Sequence, residues 1–340
     1  MKKGKSIYSR REFINCLGVS FISFYSLMKL KSSFINHSDK KLLSPRSSKL
    51  FSNPNQNKSI VIIVEGKDIN KMIRAGLEAL ELPEDFFKDK KIVIKPNTHW
   101  SEEYPSITDP VSLLPIIDFL REKKSGNIIV ADGSGVDLPN YRTAFEFIKF
   151  EKILASKGVN IVPLNIWKLN DFISIKSSKW SILKTLTVHP IIYNAPILIS
   201  VTCLKRHHDA HLTAALKNNM GAISARDRYR VHYYTKSKFK EEIAEVANAI
   251  RPEITIIDAR DILVKSGPMF MPDKSNLKRG INKLLISTDM VALDTIASQL
   301  MSEHDETFKF DMFQPTLNHA HKLKLGNIES DLINIINLRV

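Results

Sequence analysis

The apolar residues fall into two patterns along the chain. Short runs are almost wholly hydrophobic, as in Ile60-Val61-Ile62-Ile63-Val64. Between them lie longer stretches in which apolar residues recur every three or four positions. The first pattern suits strands buried on both faces of a parallel sheet, the second amphipathic helices. It predicts strands over 59–64, 91–95, 127–131, 159–163, 196–201, 253–258 and 283–287. Helices are predicted over 69–80, 110–124, 143–157, 213–220, 239–250 and 291–301. Strand and helix in alternation imply right-handed βαβ units. The fold class is therefore α/β: mostly parallel sheet, with helices on both faces. It occupies 59–330 as one domain or as two lobes, 59–200 and 201–330. The stretch 168–189 breaks the rhythm and reads as an antiparallel excursion or surface hairpin. Ligands of such sheets bind beyond the carboxyl ends of the strands, so polar residues just after strands are the first candidates for function.

The N-terminus reads as an address. Lys2, Lys3 and Lys5 precede Ser9-Arg10-Arg11-Glu12-Phe13-Ile14, and an apolar run follows from Leu17 to Met28. This resembles a twin-arginine export signal, with Asn15 in place of the usual Lys, and its apolar run is shorter than the roughly 18 residues of a spanning helix. Residues 1–35 are the expected signal, and 36–58, rich in Ser, Asn, Lys and Pro, the expected linker. No Ala-x-Ala follows, so an uncleaved signal would anchor the protein to the membrane. The expected location is the periplasm or the outer face of the cytoplasmic membrane, with the twin-arginine translocation machinery as partner.

Composition narrows the class. Of the 340 residues 43% are hydrophobic and 25% charged, ordinary globular usage. The net charge is +14, but nine of those charges lie in residues 1–50. The body is nearly balanced, and nucleic acid is not an expected partner. Cys16 and Cys203 are the two cysteines, too few for an iron–sulfur cluster held by this chain alone.

Lys95 and Asn97 flank Pro96, which ends a ladder for want of an N–H, so both would project from a strand end, where a lysine can meet a carboxylate or phosphate. Asp109 and Pro110 read as a helix cap and first turn. Asp132-Gly133-Ser134-Gly135 ends a strand in a glycine turn, either a tight loop or an anion cradle. The densest polar segment is Lys205-Arg206-His207-His208-Asp209-Ala210-His211. On a helix, His207 and His211 would share a face at metal-ligand spacing, and Thr213, Lys217 and Asn218 would follow. Metal, anion and solvated-loop readings all remain open for it. His232 sits in a basic stretch, Asp258 ends a strand, Asp289 reads as a cap, and His319 and His321 read as exposed.

Lys205-Arg206-His207, Thr213, Lys217-Asn218 and Gly221 together resemble the K-T-H … T-x-x-L-K-N-x-x-G core of the domain of unknown function 362 family. Ile94-Lys95-Pro96-Asn97, Ser106-Ile107-Thr108-Asp109-Pro110, Asp132-Gly133-Ser134, His232, Asp258 with Gly267-Pro268, and Ser287 through Asp294 agree in order. The resemblance runs from about residue 60 to 326. It implies an association with iron–sulfur redox partners, although this chain lacks the ferredoxin module of many relatives, and a distant similarity to the nickel-dependent lactate racemase fold. Arg206, His208 and His211 depart from the family pattern and add candidate ligands.

The functional expectation is an exported protein with a cofactor- or metal-dependent polar cleft, acting as an enzyme on an anionic substrate. His207, Lys217 and Asp132 are the catalytic candidates. Lys95, Asn97, Ser134, Lys205, Thr213 and Asn218 are the cofactor-binding candidates, and His207, His211, Asp258 and Asp289 the ligands of a divalent metal. The alternatives are a non-catalytic metal- or anion-binding protein and an iron–sulfur-associated redox partner. In either of the first two cases Lys95, Asp132, His207 and Lys217 must face one pocket.

Overall fold

A computed structural model describes residues 42–48, 58–98, 103–133, 150–164, 169–234 and 236–340. The export motif, Cys16 and Ser134 lie outside them. Leu42–Val340 forms one compact unit. Its strands are β1 (Ser59–Glu65), β2 (Ile92–Lys95), β3 (Ile128–Asp132), β4 (Asn160–Pro163), β5 (Ile173–Ile175), β6 (Leu186–Val188), β7 (Ile197–His207), β8 (His211–Thr213), β9 (Ile254–Leu263), β10 (Leu277–Lys278), β11 (Lys283–Ser287) and β12 (Ile333–Arg339). The α-helices are α1 (Ile69–Glu78), α2 (Leu113–Glu122), α3 (Pro190–Tyr193), α4 (Ala215–Asn218), α5 (Ala225–Tyr229), α6 (Phe239–Ile250), α7 (Met290–His304) and α8 (Gln314–Lys322).

One ten-stranded sheet organises the body, in the order β12-β1-β11-β9-β7-β2-β3-β4, with β8 on β7 and β10 on β9. From β9 to β4 every neighbour in that order is parallel, while β11 runs antiparallel to both β1 and β9. The period-two alternation of side chains accounts for a core on each face. Ile62, Ile92, Ile94, Ile197 and Ile199 point to one side, under Met72 and Ile73 of α1 and Leu113 and Ile116 of α2. Val61, Val93 and Leu198 point to the other, under Ile243 and Val246 of α6, Val291 and Ile296 of α7 and Leu317 of α8. This is the expected α/β architecture, a mostly parallel sheet covered on both faces. The stretch 168–189 contains the small antiparallel pair β5–β6.

Several details differ from the expectation. The lobe boundary at 200/201 falls inside β7, the central strand, which continues to His207 because β8 folds back and pairs with it. Thr213 ends β8, so the helix expected over 213–220 shrinks to α4 and a following 3-10 turn. Residues 42–48 are part of the body: Leu43 bridges to Ile175, and Arg46 is 5% exposed. Arg46 donates to the carbonyls of Ala195, Ile250 and Arg251 and pairs with Glu253 at 2.7 Å. The edge strand β12, parallel to β1, was not anticipated.

Candidate functional site

The polar candidates collect at the carboxyl ends of β2, β3 and β7. Lys95 is the last residue of β2 and Asp132 the last of β3. Both are buried, and Lys95 Nζ meets Asp132 Oδ1 at 2.6 Å. The other carboxylate oxygen, Oδ2, accepts from the backbone N–H of Thr98 at 2.8 Å and its hydroxyl at 2.9 Å. Burial pushes the Lys95 amine down, and Asp132 opposes that shift. Gly221 makes the close approach of the 3-10 turn possible. A Cβ there would lie on Asp132 Oδ1, 2.7 Å from the Gly133 carbonyl and 2.9 Å from Lys95 Nζ.

Asn97 joins β2 to the polar end of β7. Its Nδ2 donates to Asn218 Oδ1 at 3.0 Å, and its Oδ1 accepts from Lys205 Nζ at 3.1 Å. Lys205 is buried and also donates to the Ser106 carbonyl. Asn218 Nδ2 donates to Ser200 Oγ at 2.8 Å. Asn97 and Asn218 thus cross-link the strand ends and α4. Thr213 is the register partner of Lys205, and its buried hydroxyl has no hydrogen-bond partner among the described residues.

Lys217 differs from the other two lysines. Part of its surface reaches solvent, and among the described residues its amine makes no hydrogen bond and no ion pair. Burial pushes it down to about 7; Lys205 and Lys95 push the same way, and Asp209 opposes them. Two further basic residues, one of them the His232 of the family pattern, lie near these lysines. Arg228 is 3% exposed, donates to the Ile223 carbonyl at 2.6 Å and feels the charge of Asp132; burial lowers it to about 10. His232 hydrogen-bonds the Arg228 carbonyl at 2.7 Å and packs on Phe239, and burial, aided by Lys217, lowers it to about 4. It is no surface-loop histidine.

The histidine segment is a hairpin and not a helix. His207 on β7 faces His211 on β8, and His211 takes a left-handed φ of 64°. The four-residue spacing is therefore cross-strand pairing around a three-residue loop. His207, His208 and Asp209 each bring a ligand atom within 4.8 Å of the others, so proximity alone makes them a candidate metal set. The set fails on orientation. The imidazoles of His207 and His208 are stacked, centroids 4.6 Å apart at 19°, so their in-plane lone pairs run side by side and do not converge. His207 Nδ1 accepts from the backbone N–H groups of Asp209 and Ala210, each at 3.2 Å. Those bonds assign the neutral ring's proton to Nε2, the atom a metal would need bare. His208 Nε2 and Asp209 Oδ2, 2.9 Å apart, are left as two ligands, fewer than the three protein ligands of a typical catalytic zinc site.

Asp258 and Asp289 do not complete the set. Asp258 is held by Arg260 at 2.7 Å and by the Tyr104 hydroxyl at 2.8 Å. Asp289 caps α7, accepting from Val291 and Ala292, and its second oxygen takes the Ser59 hydroxyl and the Asn327 N–H. Asp109 caps the turn before α2, as read from sequence, and also pairs with Arg260. Arg206 pairs with Asp305 and lies over the Phe308 ring. His319 pairs with Glu245 at 3.1 Å and is not exposed. Two open surface grooves, of about 530 and 460 Å³, are lined by residues outside this site.

What gathers at the strand ends is a buried, cation-rich polar cluster, with Lys217 at its partly exposed edge. Lys95, Asn97, Asp132, Lys205, Lys217 and Asn218 come together there, and His207 and Thr213 follow on the adjoining hairpin. No curated protein matches the chain. Among solved structures, the lactate racemase apoprotein of Thermoanaerobacterium thermosaccharolyticum is similar in fold, with a TM-score of 0.51 at 13% identity. The match covers 78% of this chain and 62% of the racemase chain, so this protein corresponds to less than two thirds of that molecule. The profile of the family described as Domain of unknown function (DUF362) matches residues 92–299, which include every residue of this cluster, and the chain belongs to that family.

Proposed function

We propose that the protein is an exported enzyme acting on a small anionic substrate at the strand-end cleft. Lys95, Lys205 and Lys217 attract the anion, and Lys217 exchanges a proton with it. One observation carries the reading: among the described residues the Lys217 amine has no hydrogen-bonded partner and stands in the company of two further lysines, where burial lowers it to about 7. Such a group is costly to bury unless a ligand supplies negative charge, and it is poised for general acid–base work near neutrality. His207 serves as a neutral N–H donor through Nε2, and Asp132 holds Lys95 in place. The fold relative is a lactate racemase, and lactate, a small carboxylate, makes 2-hydroxy acids the first substrates to try. The hairpin histidines do not converge, and the proton exchange proposed for Lys217 needs no metal.

The test is a calorimetric titration of the protein with lactate and with inorganic phosphate at pH 6 and pH 8.5. Binding should be tighter at pH 6 and lost in Lys217→Met. Indifference to both anions at millimolar concentration defeats the proposal. Exchange of the lactate α-hydrogen in deuterated water, absent in Lys217→Met, separates an enzyme from a binder.

A further inference from the structure

Asp294 is a buried carboxylate to which the proposed chemistry gives no part. It lies on α7, 0% exposed, and reaches across to α4. Its Oδ1 accepts from the N–H of Ala215 at 2.6 Å and its Oδ2 from the N–H of Leu216 at 2.9 Å. These are the first two amides of the turn that carries Lys217 and Asn218. The residue at the local cap position, Ala214, has no side-chain oxygen and an irregular backbone (φ −152°, ψ −141°), so the turn has no cap of its own. The cap comes instead from 78 and 79 residues further along the chain. Among the described residues no cation pairs with Asp294; burial lifts it to about 7, the two N–H donors oppose that, and Asp289 adds to it.

We propose that Asp294 is a positioning residue: its carboxylate clamps the α4 turn and thereby fixes the Lys217 amine in the anion cleft. This rests on the reading of Lys217 given above. The clamp explains why a carboxylate remains in an apolar layer between α7 and α4, where a hydrocarbon side chain would pack at lower cost. It holds Lys217 in its buried place beside Lys205 and Lys95 from the strands and Asp209 from the hairpin, the surroundings that set its proton affinity. Released, the amine would swing toward solvent and behave as an ordinary lysine.

The experiment follows acylation of Lys217 against pH, read by peptide mass spectrometry on the full chain, in wild type, Asp294→Asn and Asp294→Ala. Inorganic phosphate binding is measured alongside. Asn keeps one acceptor and turns an N–H toward the other donor; Ala removes both. The apparent pKa of Lys217 should rise by about one unit or more in Asn and further in Ala. Phosphate affinity should fall about tenfold for the first lost bond. A folded Asp294→Asn variant whose Lys217 profile and affinity stay within about twofold of wild type overturns the proposal. If both variants unfold, hydrogen exchange in the wild type decides: Ala215 and Leu216 amides should be strongly protected, and rapid exchange there refutes the clamp. A wild type that ignores phosphate sinks the anion reading, while the acylation profile still tests Asp294.

Discussion

Gly221→Ala is a demanding test of the cleft because it adds one methyl group. That methyl would land on Asp132 Oδ1, with the Gly133 carbonyl 2.7 Å away and Lys95 Nζ 2.9 Å away. Asp132 cannot swing aside without giving up both bonds to Thr98, and Lys95 cannot follow because its Nζ is enclosed. Overpacking alone costs about 1–3 kcal/mol. Parting a buried ion pair costs about 3–5 kcal/mol, since each charge is left without compensation. The second effect dominates, and the expected loss is roughly 3–5 kcal/mol, or roughly 5–8 °C in Tm for a chain of this length. Urea unfolding followed by tryptophan fluorescence reads the stability, and phosphate titration the cleft. Gly158→Ala is the control: its φ of 55° imposes strain, but nothing lies within 4 Å of the added carbon. It should cost about 1 kcal/mol and leave binding untouched. A Gly221→Ala protein within about 1 kcal/mol of wild type would refute the claim that the Lys95–Asp132 pair needs this close approach.

Lys217 should also shape stability against pH. Its folded value of about 7 lies below the ordinary 10.5, so between those values the unfolded chain binds more protons and stability rises with pH. The penalty is fully present below pH 7, where Lys217→Met should be the more stable protein, and the gap should close toward pH 10.5; parallel pH–stability curves for the two proteins would contradict it. Export by the twin-arginine route predicts that replacing Arg10 and Arg11 together with Lys retains the protein in the cytoplasm of its host, read by cell fractionation. Unchanged export would remove that part of the proposal.

The strands of the sheet were legible because their side chains are apolar on both faces, and burial on both faces is what a parallel sheet imposes. The extension of β7 was not. Lys205, Arg206 and His207 look like loop residues, and pairing with β8, together with a bulged Lys205–Leu263 pairing to β9, keeps them in the ladder. A separation of four between His207 and His211 is shared by a helix face and a three-residue hairpin, and periodicity cannot choose between them. The positive φ of His211 decides the matter in space. β12 escaped notice because Ile333-Asn334-Ile335-Ile336-Asn337 mixes apolar and polar residues, as a half-exposed edge allows. Lys95, Asn97 and Asp132 could be named in advance from their places at strand ends, and Lys217 from the polar segment that follows the histidines. The partners of Asp294 could not be read, since both are amides of distant residues. Asp258 and Asp289 were plausible ligands by type, but Arg260 and the α7 amides already occupy them.

The clasp between Arg46 and Glu253 sets where the folded body starts. Glu253 also receives the Leu198 amide at the beginning of β7, the end of that strand opposite the cleft. A protein trimmed back to Ser59 would leave that glutamate facing hydrocarbon with its counter-charge cut away. Any shortening meant to preserve the native state should therefore stop ahead of Leu42, and a processing enzyme that cut later would release a weakened molecule.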